Sequence, residues 1–81
     1  MRVKFTAHAK FKLQLYGLSE ENVRNALLTA DTVRGTRFGR KMAIKLLDDH
    51  VIVIVYEELD ESLKVITVYP TRKRRIIKWL R

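Results

Sequence analysis

Residues 2–5, RVKF, alternate polar and apolar, the period-two pattern of a short edge strand. From Thr6 the period lengthens. Phe11 and Leu15 lie four apart, Ala9, Leu13 and Tyr16 form a second row, and Thr6 can cap the first turn, so a helix is predicted over residues 7–16, ended by Gly17. Ser19 caps a second helix. Glu20 and Glu21 there meet the positive end of the helix dipole, and Val23, Ala26, Leu27 and Ala30 repeat at i, i+3, i+4 and i+7. Joined only by Gly17 and Leu18, the two form a helical hairpin.

Beyond Asp31 the period returns to two. Residues 32–38 read as a strand, Gly39 as a turn, and residues 40–47 as a strand in which Met42, Ile44 and Leu46 alternate with Lys41 and Lys45. Asp48, Asp49 and His50 make the next turn, and His50 is expected to do no more than turn the chain. Residues 51–56 are apolar on both faces, which places them centrally in a sheet with helix on at least one side. An acidic turn over residues 57–62 leads into residues 63–69, the antiparallel partner of 51–56. The order β-α-α-β-β-β-β predicts an α+β fold with two N-terminal helices packed on one face of an antiparallel β-sheet. One domain is expected over residues 1–70 and a basic extension over residues 71–81. In that extension IIKWLR puts Ile76, Ile77 and Leu80 on one helical stripe, able with Trp79 to dock on the chain's own sheet or on a partner.

Composition narrows the class. The chain has 81 residues, near the lower size for one unaided core, and its 47% hydrophobic and 32% charged content fits a packed domain and argues against disorder. With no cysteine, disulfides and thiolate zinc sites are excluded, and two histidines are too few for an ordinary structural metal site, so no metal and no cofactor is expected. The longest apolar run is six residues, against the ~20 needed to span a bilayer, and the N-terminus lacks the sections of a signal peptide, so a soluble cytoplasmic protein is expected.

Charge changes the picture more. The net charge is +8, and six of the seventeen Lys and Arg residues lie within residues 71–81 beside no anion. Arg34, Arg37, Arg40, Lys41 and Lys45 form a second group. Clustered cations point to a polyanion, nucleic acid before membrane, because neutralising phosphates releases counterions. Arg37, Arg40 and Lys41, with Arg72, Lys73, Arg74 and Arg75, are the expected nucleic-acid contacts, the run of four falling where the last strand ends at Tyr69.

His8 and Lys12 lie at i and i+4 of the first helix, an imidazole and a cation on one side, the pairing that suits a general base. FTAHA opening that helix, YGLSEENV at the helix junction, VIVIVYEE and LKVITVYP together resemble a family of small uncharacterised domains in the RelE-like ribonuclease-toxin superfamily, over residues 3–70. The resemblance implies the same β-α-α-β-β-β-β fold, membership of a toxin–antitoxin pair, and metal-independent cleavage of RNA, in some relatives at the ribosome. This chain departs from the family pattern at Lys12, Leu13 and Tyr16, where relatives tend to carry arginine, methionine and arginine.

Metal-free RNA cleavage needs a base for the 2′-hydroxyl, cations for the charge building on the phosphorane, and an acid for the leaving oxygen. The candidates are His8, beside Lys12, as base or acid, Lys45 and Arg72 as charge stabilisers, and Tyr69 as a stacking platform or weak acid. The expected function is thus a toxin acting as a metal-independent endoribonuclease on mRNA; the alternative is a non-catalytic basic nucleic-acid-binding module of the same fold. Expected partners are RNA, free or on the ribosome, an antitoxin protein and a second copy in a homodimer, with no membrane.

Overall fold

A five-stranded mixed sheet carries two helices on one face, in a computed structural model that describes residues 2–72. Strand β1 (Arg2–Phe5) leads into helices α1 (Ala7–Tyr16) and α2 (Glu20–Leu28), followed by β2 (Thr32–Gly35), a single 3-10 turn (Arg37–Gly39), β3 (Lys41–Leu46), β4 (His50–Glu58) and β5 (Ser62–Arg72). In space the strands run β1-β5-β4-β3-β2. From β2 to β5 every pairing is antiparallel, as the turn spacing predicts. The departure from a purely antiparallel sheet is β1, which joins the outer edge of β5 in parallel, Arg2 opposite Ser62 and Phe5 opposite Val65.

Thr6 fixes where α1 starts. Its N–H donates to the Val65 carbonyl at 3.1 Å, its hydroxyl donates to the Ile66 carbonyl at 3.1 Å, and the same oxygen accepts from the Ala9 N–H at 3.0 Å as the helix cap. The register of β4 against β5 slips between Val55 and Tyr56, which face Thr67 and Val65, so Ile66 stands opposite no β4 residue. At the other end of α1, Gly17 takes φ 67, the left-handed cap that glycine enters without a Cβ clash. Ser19 then accepts from the Asn22 N–H at 3.0 Å and opens α2.

Both faces of the sheet are buried. On the helix side, Ala9 and Leu13 of α1 and Val23, Ala26 and Leu27 of α2 meet Ala43, Ile52, Ile54, Tyr56, Val65 and Val68. On the other side Ile44, Val51 and Val53 are each 0% exposed, with Met42 and Tyr69 packed against them. Tyr69 therefore does not fill the core beside Tyr56. It faces Val53 while its neighbour Val68 faces Ile54, and strand alternation sends the two tyrosines to opposite faces. Of the two apolar rows on α1, the Ala9–Leu13 row is the buried one; Phe11 and Leu15 are exposed.

Several boundaries differ from the pattern reading. The strand expected over residues 32–38 stops at Gly35, because Phe38 takes φ 63, outside any strand. His50 begins β4 instead of lying in a turn, and β4 runs on to Glu58, leaving only residues 59–61 between it and β5, closed by Leu59 N–H to Ser62 O at 2.8 Å. Strand β5 continues past Tyr69 through Pro70 to Arg72, so the cations do not begin where the sheet stops; Arg72 is itself a strand residue paired with His50. Proline is tolerated there because β1 pairs only with Ser62 to Val65, leaving the rest of that edge without a strand partner among the described residues. Lys73, Arg74, Arg75 and the apolar stripe expected over residues 76–81 lie outside the described residues. No helix among the described residues is long and apolar enough to cross a membrane.

Candidate nucleic-acid interface

The cations divide between the two ends of the sheet. At one end the β2–β3 connection carries Arg34, Arg37, Arg40 and Lys41. Two of these are engaged across the sheet: Arg40 Nε donates to Glu57 Oε1 at 3.1 Å and Lys41 Nζ to Glu58 Oε1 at 2.6 Å, with Lys64 Nζ 3.6 Å from the second Glu57 oxygen. The Arg40 hydrogen bond, aided by the Lys64 charge, holds the Glu57 carboxyl below its ordinary value. The hydrogen bond to Glu58 holds the Lys41 ammonium above its own. Arg40 and Lys41 thus face carboxylates, so they offer phosphate less than the sequence suggests. Arg34 and Arg37 are exposed and have no side-chain partner among the described residues.

At the other end, strand pairing gathers three basic side chains that are distant in sequence. Lys45 stands opposite Ile52 on the helix side of the sheet, and His50, two residues before Ile52 on β4, points to that same side with Arg72 directly opposite it on β5. Lys45 Nζ donates to the Thr29 carbonyl at 3.1 Å, which anchors it beside the end of α2. His50 Nδ1 lies 2.6 Å from Asp49 Oδ1, which fixes the ring's orientation. Arg72 is exposed and its side chain makes no hydrogen bond or ion pair with another described residue.

Lys45 and His50 border a groove of about 360 Å³ between α2 and the sheet. Its floor is apolar, made by Leu18, Ala26, Leu47 and Ile52, and α2 lines one wall with Asn22, Asn25 and Thr29. That volume is at the lower end for small-ligand pockets. An apolar floor offers a surface for a planar ring, carboxamides offer paired donors and acceptors, and Lys45 at the rim offers charge for a phosphate. The groove therefore has the chemistry of a nucleotide-sized site.

The remaining sequence candidates are elsewhere. His8 is exposed on the first turn of α1, held near Val65 and Ile66 through Thr6. Arg72 is six residues further along β5, about 20 Å at the rise of a strand, so His8 and Arg72 do not converge on one phosphate. Nor does Lys12 turn toward His8; its ammonium sits 5.8 Å from the Tyr16 ring centroid. Tyr69 packs on the opposite sheet face from Lys45 and Arg72. Among the described residues no three His, Asp or Glu side chains gather as metal ligands.

His50, Asn22 and Asn25 were not legible as site residues, although signals existed. His50 is in phase with Ile52, Ile54 and Tyr56, the positions that face the helices, and Asn22, Asn25 and Thr29 are spaced i, i+3, i+7 along the border of the apolar face of α2. No curated protein and no solved structure matches the chain. The family model described as a domain of unknown function, DUF4258, matches residues 5–70, which takes in both helices, β2 to β4 and most of β5, and the chain belongs to that family.

Proposed function

We propose that this protein is a basic nucleic-acid-binding module that takes RNA along the end of its sheet, with one nucleotide in the groove between α2 and β4. The observation that carries this reading is that Lys45 and His50, from adjacent strands, border a groove with an apolar floor and a carboxamide wall, with Arg72 paired opposite His50 on the next strand. RNA is favoured over duplex DNA because the groove offers room for an unstacked base and, among the described residues, no helix stands free to enter a major groove.

A second reading keeps the same surface and adds cleavage: a RelE-like toxin acting as a metal-independent endoribonuclease on mRNA, neutralised by an antitoxin. It rests on the sequence resemblance and on one observation, the His50 ring held by Asp49 at 2.6 Å with Arg72 across the strand pair. In this reading His50, not His8, moves the proton, and Lys45 and Arg72 stabilise the phosphorane. A short acidic reading frame adjoining the gene would add to it.

One preparation tests both. For the purified chain and a labelled single-stranded RNA, log affinity is expected to fall linearly with log salt, and Lys45→Gln with Arg72→Gln is expected to reduce that slope by about 1.4, from two lost contacts at roughly 0.7 each. An unchanged slope would show that the groove end does not meet phosphate. The same RNA, with and without ribosomes, reads cleavage. Loss of ~100-fold or more in rate with His50→Gln but not with His8→Gln supports the toxin reading, and intact RNA with retained binding supports the module alone.

A further inference from the structure

We infer that Phe38, at the tip of the β2–β3 connection, is a stacking platform for an unpaired base of a single-stranded nucleic acid. The inference rests on the nucleic-acid reading above and adds a second contact point at the opposite end of the sheet from the groove.

Phe38 has no folding role to explain it. It is 89% exposed, the highest value among the large apolar side chains that face solvent, so its ring gains almost nothing from burial. Its backbone takes φ 63 and ψ 33, the left-handed region that glycine and asparagine enter readily and a bulky aromatic residue enters only with strain. It is the only non-glycine residue with positive φ among those described. A strained backbone that presents a ring to water is kept by something other than stability, and such outliers gather at binding sites.

The rest of the turn is built to hold the backbone that carries that ring. Thr36 closes the loop by donating its N–H to the Arg40 carbonyl at 2.8 Å and its hydroxyl to the same oxygen at 3.1 Å. Behind the loop, Arg40 and Lys41 are pinned to Glu57 and Glu58, which fixes the base of the connection against β4. Gly39 follows at φ 71, so two consecutive left-handed residues throw the ring outward. Arg37 precedes it in the turn and Arg34 lies near the end of β2 that leads into the turn, both exposed and without a partner among the described residues. An exposed aromatic face with guanidinium groups on the same connection matches what a single strand offers, a π-face on each base and a phosphate on either side. A base inside a duplex is already stacked on both faces and has no face to give a lone ring.

The test compares Phe38→Gly and Phe38→Trp in the full chain, on a fluorescein-labelled oligoadenylate of about twelve nucleotides and on the duplex of matching length. Phe38→Gly is expected to bind the single strand roughly 5- to 100-fold more weakly, the range for losing one aromatic–base stack, with the duplex unchanged. Because glycine accepts φ 63 without strain, that variant is expected to melt at or above the wild-type temperature, so a loss of binding cannot be a loss of fold. Phe38→Trp is expected to retain or strengthen single-strand binding. Equal single-strand affinity for wild type and Phe38→Gly overturns this inference alone, as does an equal loss on strand and duplex. A wild-type chain that binds neither probe overturns the nucleic-acid reading, and this inference with it.

Discussion

Arg40 and Lys41 belong to the same sequence cluster of cations as Arg34 and Arg37, yet only the first two face carboxylates across the sheet. Arg40 meets Glu57 over a sequence gap of 17 residues at 3.1 Å, with Lys64 on the other oxygen at 3.6 Å. Exposed pairs of this kind contribute little individually, and their larger effect is to set the angle of the β2–β3 connection. They also give a pH signature. The Glu57 carboxyl is held below its ordinary value of 4.5, first by the Arg40 hydrogen bond, so its contribution is fully present above about pH 4.5 and is lost as pH falls through the lowered folded value. Thermal melting of wild type and Glu57→Gln should therefore converge as the pH drops from about 5 toward 3, the wild type losing the greater part. Melting curves that stay parallel across that range would mean the pair carries no linkage. His50 shows the same dependence on neighbours. In isolation it is a turn histidine after two aspartates; opposite Arg72, and above a groove shared with Lys45, it becomes part of a site.

At the scale of elements, α1 is located by one residue. Thr6 caps the helix through Ala9, and it ties that cap to β5 through Val65 and through Ile66, the residue set free by the register slip against β4. The helix therefore starts at a fixed point on β5, which also stations His8 far from Arg72. Thr6→Ala removes the cap, worth about 1 to 2 kcal/mol, and the hydroxyl bond to Ile66, worth about 1 kcal/mol more. Urea unfolding is expected to report a loss of roughly 2 kcal/mol, and Thr6→Ser, which keeps the hydroxyl, should restore most of it. A loss under about 0.5 kcal/mol would show that the rest of α1 holds the helix in place without this anchor. Strand β5 carries the second element-scale lesson. Pattern reading ends it at Tyr69, yet the strand runs on through Pro70 to Arg72; a proline is excluded only from strands paired on both sides, and β1 reaches no further than Val65 along this edge.

For the whole molecule the consequence is a sheet buried on both sides, with Ile54 under the helices and Ile44 on the opposite face, each 0% exposed. Ile54→Ala and Ile44→Ala are both expected to cost about 2 to 5 kcal/mol, a large share of the stability of so small a domain, with a single cooperative transition retained in each. An Ile44→Ala cost below about 1 kcal/mol, measured by urea unfolding, would mark the face opposite α1 and α2 as surface instead of core. What the residues specify is local. The 3.6 and 2.0 periods, the Thr6 and Ser19 caps and the Gly17 stop give α1 and the start of α2, although α2 ends at Leu28 and leaves Ala30 of its expected face outside the helix, and short turns between successive apolar strands dictate the antiparallel meander, because each of these depends on residues within a turn or two of one another. What depends on register is settled by strand pairing. Which edge β1 joins, that Tyr69 and Tyr56 part to opposite faces, that Arg40 is paired while Arg37 has no partner among the described residues, and that His50 shares a groove with Lys45 and stands opposite Arg72 all follow from which residue stands opposite which across the sheet. A slip of one position in a strand exchanges its two faces, and nothing in the local sequence records the partner that fixes it.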